Sequence, residues 1–308
     1  MASYAHCMTP HRNFGVRADG QPVTAYEIKS NTRLRAVVLN HGAILQALYL
    51  PDGRNVTLGY DGWDEYAADK TYKGCIIGRN SNRIVGGSFQ IAGQAYMLSA
   101  NDGLNNLHSG PRGLDTQLWE VTQKDTSLEL RHTSPDGHDG FPGEVDISLK
   151  ISLRDMTLRL DMEARTNHPT PINLTWHPYW NLAGRGRIDG HNFQIEADGI
   201  TGLKKTYTID IKDTRFDFRR AHPIGNVRLD VNYSNVNSAI LTSNGTQLRV
   251  TSSLPYMQVY SGDQLTPPRS GIAIEPQYRP NDINLAQDCL LRPGEIYNHW
   301  IEYQFSMD

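Results

Sequence analysis

The sequence predicts an all-β chain, folded as a large antiparallel sandwich or barrel, and three observations carry that prediction. Apolar residues alternate with polar ones at Ile147, Leu149, Ile151 and Leu153, and again at Met156, Leu158, Leu160, Met162 and Ala164. This period of two marks strands with one buried face. Turn dipeptides punctuate the chain at short intervals: Asp52-Gly53, Asp102-Gly103, Asp136-Gly137, Asp139-Gly140, Asp189-Gly190 and Asn244-Gly245. Helical periodicity is nearly absent, with 64–69 offering one turn or two. Many strands without intervening helices mean antiparallel sheets.

The elements follow in order. Strands are expected at 34–39, 44–50, 89–91, 117–122, 128–132, 193–195 and 257–260. The two alternating runs meet at Arg154-Asp155, a hairpin turn. Further alternation marks Leu248 and Val250, and a last strand carries Ile301, Tyr303 and Phe305. No repeat, low-complexity tract or long linker divides the chain, so residues 1–308 read as one domain.

Bulk composition excludes several functions. With 38% hydrophobic and 20% charged residues and a net charge of −3, the chain has no basic footprint for nucleic acid or an anionic membrane. No apolar run approaches the ~20 residues of a membrane span. The start, MASYAHCMTPHRNFG, lacks the basic and apolar regions of a secretion signal. Three cysteines, Cys7, Cys75 and Cys289, form no CxxC pair, which argues against a zinc site or a disulfide framework. A cytoplasmic setting fits, with the chain a monomer or homodimer.

Polar chemistry concentrates in five stretches. Segment 173–184, NLTWHPYWNLAG, sets His177 among Trp176, Tyr179 and Trp180, a wall for stacking a sugar ring beside a group that titrates near neutrality; the plainer reading is a core strand with a hydrogen-bonded histidine. Segment 78–87, GRNSNRIVGG, carries Arg79 and Arg83 with Asn80 and Asn82 between them. It fits neither phosphate-loop pattern, while guanidinium and amide donors suit hydroxyls. NNLHSG holds His108 in a loop. HTSPDGHDGFPG has two histidines and two aspartates but no metal-ligand spacing, and reads as a turn-rich loop. In GIAIEPQYRPNDIN, Glu275 ends an apolar run. A partly buried carboxyl there would rise toward the range of a general base, and an ion pair with Arg279 is the structural alternative.

Taken together, these motifs resemble the aldose 1-epimerase (galactose mutarotase) family. GRNSNRIVGGSFQIAGQAY, NNLHSGPRGLDTQLWEV, SPDGHDGFPGEV, NLTWHPYWNLAG, VRLDVNY, MQVYSGDQL and GIAIEPQYRPNDIN fall in the family's order between about residues 75 and 284. The resemblance implies a large single-domain antiparallel β-sandwich and a mutarotase acting on a monosaccharide. By position it makes Glu275 the general base, His177 the general acid and His108 the support near the ring oxygen. Asn82, Arg83, Asp230 and Gln258 become substrate-binding, and Arg79 is left out. No cofactor, metal, nucleotide or covalent intermediate is implied. Trp176, Pro178, Trp180 and Pro276 depart from the commonest family pattern, which directs attention to sugar preference.

Three other readings compete. A glycoside hydrolase would use Asp230 and Glu275 as paired carboxylates. A carbohydrate-binding module would use the three aromatics as a platform. A hexose-6-phosphate epimerase would need a cationic cluster such as Lys204, Lys205, Arg215, Arg219 and Arg220.

Overall fold

The long hairpin is the backbone of the larger layer. In the computed structural model, which describes residues 11–308, Val145–Arg154 pairs residue by residue with Thr157–Thr166. Both strands alternate buried and solvent-facing side chains as the period of two requires. They sit in a nine-stranded sheet running Glu120–Lys124, Ser127–Ser134, Val145–Arg154, Thr157–Thr166, Tyr297–Met307, Thr246–Ser252, Ser238–Ser243, Asn192–Glu196 and His222–Pro223. Opposite it lies a five-stranded sheet of Tyr179–Trp180, Ile272–Gln277, Tyr256–Tyr260, Asp230–Ser234 and Gly199–Thr201. A four-stranded sheet, His11–Val16, Pro22–Lys29, Arg35–Leu39 and Leu45–Tyr49, completes the wall. All named strand pairs among the described residues are antiparallel. The all-β class holds.

The strands expected from the sequence form, one of them shifted, and several others were not foreseen. The strand expected at 117–122 runs Glu120–Lys124 instead, because a 3₁₀ turn, Leu114–Thr116, takes up the preceding residues. Strands not foreseen include His11–Val16, Pro22–Lys29, Asp230–Ser234 and Ser238–Ser243; the first is a sheet edge with one buried side chain, Phe14, so it shows no apolar period. The one α-helix among the described residues is Trp63–Ala68, where 64–69 had suggested a turn or two. No helix among them is long and apolar enough to cross a membrane. Cys75 and Cys289 are buried free thiols, and Cys7 lies outside the described residues.

Register in the five-stranded sheet decides what the protein can do. Residues directly opposite in an antiparallel pair share a face. Tyr179 faces Ala273, Tyr260 faces both Ala273 and Asp230, and Gln258 faces Glu275. One face therefore gathers Tyr179, Tyr260, Asp230, Gln258 and Glu275. The other presents Trp180, Tyr233, Met257, Val259, Ile272 and Ile274 to the main hydrophobic core. A one-residue slip would exchange the faces and bury the polar set in that core, so register and site are specified together.

Candidate active site

The polar face of the five-stranded sheet forms one wall of a cavity of about 920 Å³. Asn82, Arg83, His108, His177, Asp230, Gln258 and Glu275 all line it, as do Tyr72, Tyr179 and Tyr260. All seven residues singled out from the sequence meet there, although they come from strands and loops spread over most of the chain.

His177 and Glu275 stand at the centre, with Nε2 of the imidazole 3.5 Å from Oε1 of the carboxyl. Short two-residue strands fix the histidine: its N–H donates to the Cys75 carbonyl and its carbonyl accepts from Gly74 N–H. Glu275 is held by a register that leaves small residues, Gly271 and Ala273, on its side of the strand. A side chain at Gly271 would meet Leu58 Cδ1 at 2.8 Å and the Tyr179 Cβ at 2.9 Å, so the close seat of Tyr179 requires a glycine there. Both members of the pair are buried. Burial disfavours the charged form of each, so it drives His177 down to about 4 and raises Glu275 well above the usual carboxylate range. This corrects two expectations: the carboxyl is fully rather than partly buried, and the two groups do not straddle neutrality as carboxylate and imidazolium in the free protein. Burial therefore favours the neutral form of each, a protonated carboxyl beside a neutral imidazole. The alternative ion pair is also overturned, because Arg279 turns to Asp282 at 3.6 Å and stacks over Tyr256.

His108 is assigned by its hydrogen bonds. Asn82 N–H donates to His108 Nδ1 at 3.2 Å, and burial keeps the ring neutral. The remaining ring hydrogen is then on Nε2, a fixed donor. The His108 ring packs edge-on to His177 at 5.7 Å and to Tyr72 at 4.7 Å. Tyr72, Asn82 and His108 all adopt positive φ, at 58°, 58° and 54°. Such backbone is uncommon for non-glycine residues and collects at functional sites. Arg83 donates through Nε to Asp102 at 2.7 Å, and Gln258 donates to Asp230 at 2.7 Å. His177 Nδ1 and Glu275 Oε2 are buried with no protein partner.

Beneath the pair, Lys73 donates to Asp69, Thr71 and Tyr60 at 3.0, 2.6 and 2.6 Å. The Tyr179 hydroxyl donates to the Thr71 carbonyl. This buried knot holds segment 69–75, and with it Tyr72, against the two histidines. The Asp69 charge also opposes the loss of basicity that burial imposes on His177.

Two sequence expectations fail here for a single reason. Trp176 and Trp180 were expected to stack on a sugar, but both are fully buried on the core side, packed against Tyr303 at 6.2 and 4.9 Å. Side chains alternate along 176–180, so His177 and Tyr179 take the cavity and the tryptophans take the core. Trp176, which donates to the Ala43 carbonyl, therefore does not set sugar preference by contact. The loop around His132 and His138 is structural: His138 bonds the Arg112 carbonyl and Asp139 pairs with Arg112. No group of metal-ligating side chains occurs among the described residues. Of Lys204, Lys205, Arg215, Arg219 and Arg220, none lines the cavity. Tyr72 was missed by sequence reasoning, because nothing in Thr71-Tyr72-Lys73 distinguishes it from a loop.

Burial of titrating groups also sets how stability depends on pH. Six histidines, His41, His108, His132, His177, His191 and His299, are lowered in the folded chain, chiefly by burial. Below the unfolded value of about 6.5, the unfolded chain takes up protons that these rings refuse, so their contribution is lost as pH falls. Three acids, Asp115, Glu275 and Asp282, are raised and act in the opposite sense. The six outweigh the three, so the melting temperature should fall on acidification from pH 7 to 5. A melting curve that rises over that interval would contradict this balance.

The antiparallel sheets that carry the carboxyl–imidazole pair on a polar face are shared with solved structures of the galactose mutarotase-like class of β-sandwiches. Two solved structures share the fold. One is the galactose 1-epimerase from Lactobacillus acidophilus NCFM, with a TM-score of 0.89, 25% identity and coverage of 97% of this chain and 98% of that one. The other is an aldose epimerase homologue from C. elegans, with a TM-score of 0.88, 28% identity and coverage of 92% and 99%. The family model described as aldose 1-epimerase matches residues 24–304. Galactose mutarotase of Sus scrofa is 32% identical over 92% of this chain and 94% of its own length. Aldose 1-epimerase of Escherichia coli K12 is 31% identical over 93% and 96%. The chain belongs to the aldose 1-epimerase family and is an isomerase.

Proposed function

We propose that the chain interconverts the α and β anomers of a neutral free aldose in this cavity, with Glu275 and His177 as the proton-exchanging pair. The observation that carries the reading is their 3.5 Å approach, buried on the cavity wall between hydroxyl-binding side chains. Ring opening takes a proton from the C1 hydroxyl and puts one on the ring oxygen. Glu275 accepts the first and His177 donates the second, after a proton has crossed from carboxyl to imidazole. C1 becomes an aldehyde, turns about the C1–C2 bond, and closure on the other face returns both protons. The pair's proton count is unchanged over the cycle, so no external acid or base is consumed. His108 donates from Nε2 near the ring oxygen, while Asn82, Arg83, Asp230 and Gln258 grip hydroxyls.

A pair that works with one proton fails when it holds two or none. The pH profile of kcat/KM should be a bell whose acid limb lies near 4, where His177 titrates, rather than near the unperturbed value of about 6.5. Its alkaline limb should lie above the ordinary carboxylate range, set by Glu275. Polarimetry with freshly dissolved α-glucose, galactose, xylose, arabinose and glucose 6-phosphate tests substrate and profile together. Acceleration of the neutral sugars is expected. Acceleration of the phosphate alone would overturn the assignment to neutral aldoses, and an acid limb near 6.5 would overturn the one-proton pair.

A further inference from the structure

Glu275 has one oxygen turned to its proton partner and one that the proposed chemistry does not use. Oε1 faces His177 at 3.5 Å, while Oε2 is buried without a protein partner. Two places along the same strand, Gln277 is fully buried, and neither Nε2 nor Oε1 of its amide has a hydrogen-bond partner. Successive side chains of a strand alternate in direction, so positions 275 and 277 share a face, about 7 Å apart. The pairing agrees: Pro276, between them, stands opposite Met257, which belongs to the main core. Gln277 does not line the cavity, so its reach is to the carboxyl and not to a sugar.

We propose that Gln277 is a positioning residue for Glu275, its amide holding Oε2 through an enclosed water so that Oε1 is presented to the C1 hydroxyl. The inference rests on the mutarotase reading of the site. Buried polar atoms are seldom left unmatched. Glu275 Oε2 and the two ends of the Gln277 amide supply three such atoms, and about three hydrogen bonds is the usual complement of a buried water. Other amides on this face are committed or remote. Gln258, directly opposite Glu275, donates to Asp230 at 2.7 Å. Asn232 lies one strand further off.

An amide suits a group that gains and loses a proton, because it both accepts and donates. Through the water, its oxygen accepts from a protonated carboxyl and its N–H donates toward a carboxylate, whereas a lysine would lock the charge. The bond to the ionised form is the stronger, by roughly twofold. Gln277 therefore opposes the burial that raises Glu275, and makes the carboxylate that receives the C1 proton easier to reach. The titratable groups within electrostatic reach of Glu275 are His177, Asp230, Tyr179 and Tyr303. None of them donates to Oε2.

Gln277→Met and Gln277→Leu remove the amide and leave an apolar side chain in its place. Each should lower kcat for mutarotation of freshly dissolved α-glucose about ten- to a hundredfold by polarimetry, the range of one hydrogen bond to a charged group. KM should hold, because Gln277 touches no sugar. Loss of the donor should move the alkaline limb of the kcat/KM profile up by about one pH unit, while the acid limb, set by His177, stays. Melting temperatures should not fall, since the amide makes no hydrogen bond to the protein. An alkaline limb unmoved in both variants would overturn the assignment, whatever the change in kcat. Failure of both variants to fold would overturn it too, by making Gln277 a structural residue. Wild-type protein that does not accelerate glucose would instead overturn the mutarotase reading.

Discussion

Replacing Glu275 with glutamine should lower kcat for mutarotation by about 10²–10⁴-fold, the usual worth of one general acid–base group. Glutamine keeps the shape and can still hold the C1 hydroxyl, so KM should change little. Stability should move the other way. Glu275 is raised well above the carboxylate range by burial, so above the unfolded value of about 4.3 the unfolded chain releases a proton that the folded chain retains. That difference destabilises the wild type as pH rises. The amide has no such proton, so Glu275→Gln should melt at or above the wild-type temperature at pH 7. An inactive variant with an undiminished melting temperature separates a chemical role from a structural one. Near-normal turnover by polarimetry would sink the assignment. His177→Asn should lose rate comparably and shift the acid limb of the pH profile, since that ring sets it.

Much of this site was legible because its signals are patterns of a strand. Gly271-Ile272-Ala273-Ile274-Glu275 reads from sequence as one apolar run ending in a carboxylate. In the sheet it is an alternation of large and small: Ile272 and Ile274 enter the core, while Gly271 and Ala273 pack close under Tyr179. The same parity governs 176–180, where sequence reading took all three aromatics for one wall. Hydrophobicity cannot separate the two faces of a strand buried on both sides, because a core and a pocket floor use similar residues. Size can, and register settles it.

Other parts left no trace in the sequence. Tyr72, in a loop, and Asp115, in the 3₁₀ turn Leu114–Thr116, are placed by long-range contacts: Gly74 with His177, Leu114 N–H on the Gly78 carbonyl, and the Lys73 knot. The ionisation of the central pair is likewise a property of enclosure. A sequence gives a histidine and a glutamate their ordinary values, and only the depth of the cavity reverses their preference for charge.

Arg79 and Arg83 show how spacing alone misleads. They stand four residues apart in one motif, but Arg83 lines the cavity while Arg79 is buried away from it. The Arg79 guanidinium donates to Ser134 Oγ at 3.0 Å and to the carbonyls of Ser134, Pro135 and Pro142 at 2.9, 2.7 and 3.0 Å. It thereby ties loop 134–142 to the segment that carries Asn82. Burial lowers Arg79 only to about 10, so it remains a cation at neutral pH. Arg79→Met would fit the space but strand three carbonyls and a hydroxyl. Unmet buried acceptors of this kind cost about 1–3 kcal/mol each before relaxation, so a net loss of roughly 3–5 kcal/mol is expected. For a chain of this size that is a fall of about 10 °C in melting temperature. Activity per folded molecule at low temperature should stay within a few-fold of wild type. Arg83→Met should do the reverse. Its contact with Asp102 is partly exposed and adds little stability, but its loss from the cavity should raise KM for every sugar. Measuring melting temperature and KM on both variants gives a crossed pattern if the two arginines are divided between scaffold and substrate. An Arg79→Met variant that melts like wild type, or an Arg83→Met variant with unchanged KM, would break that division.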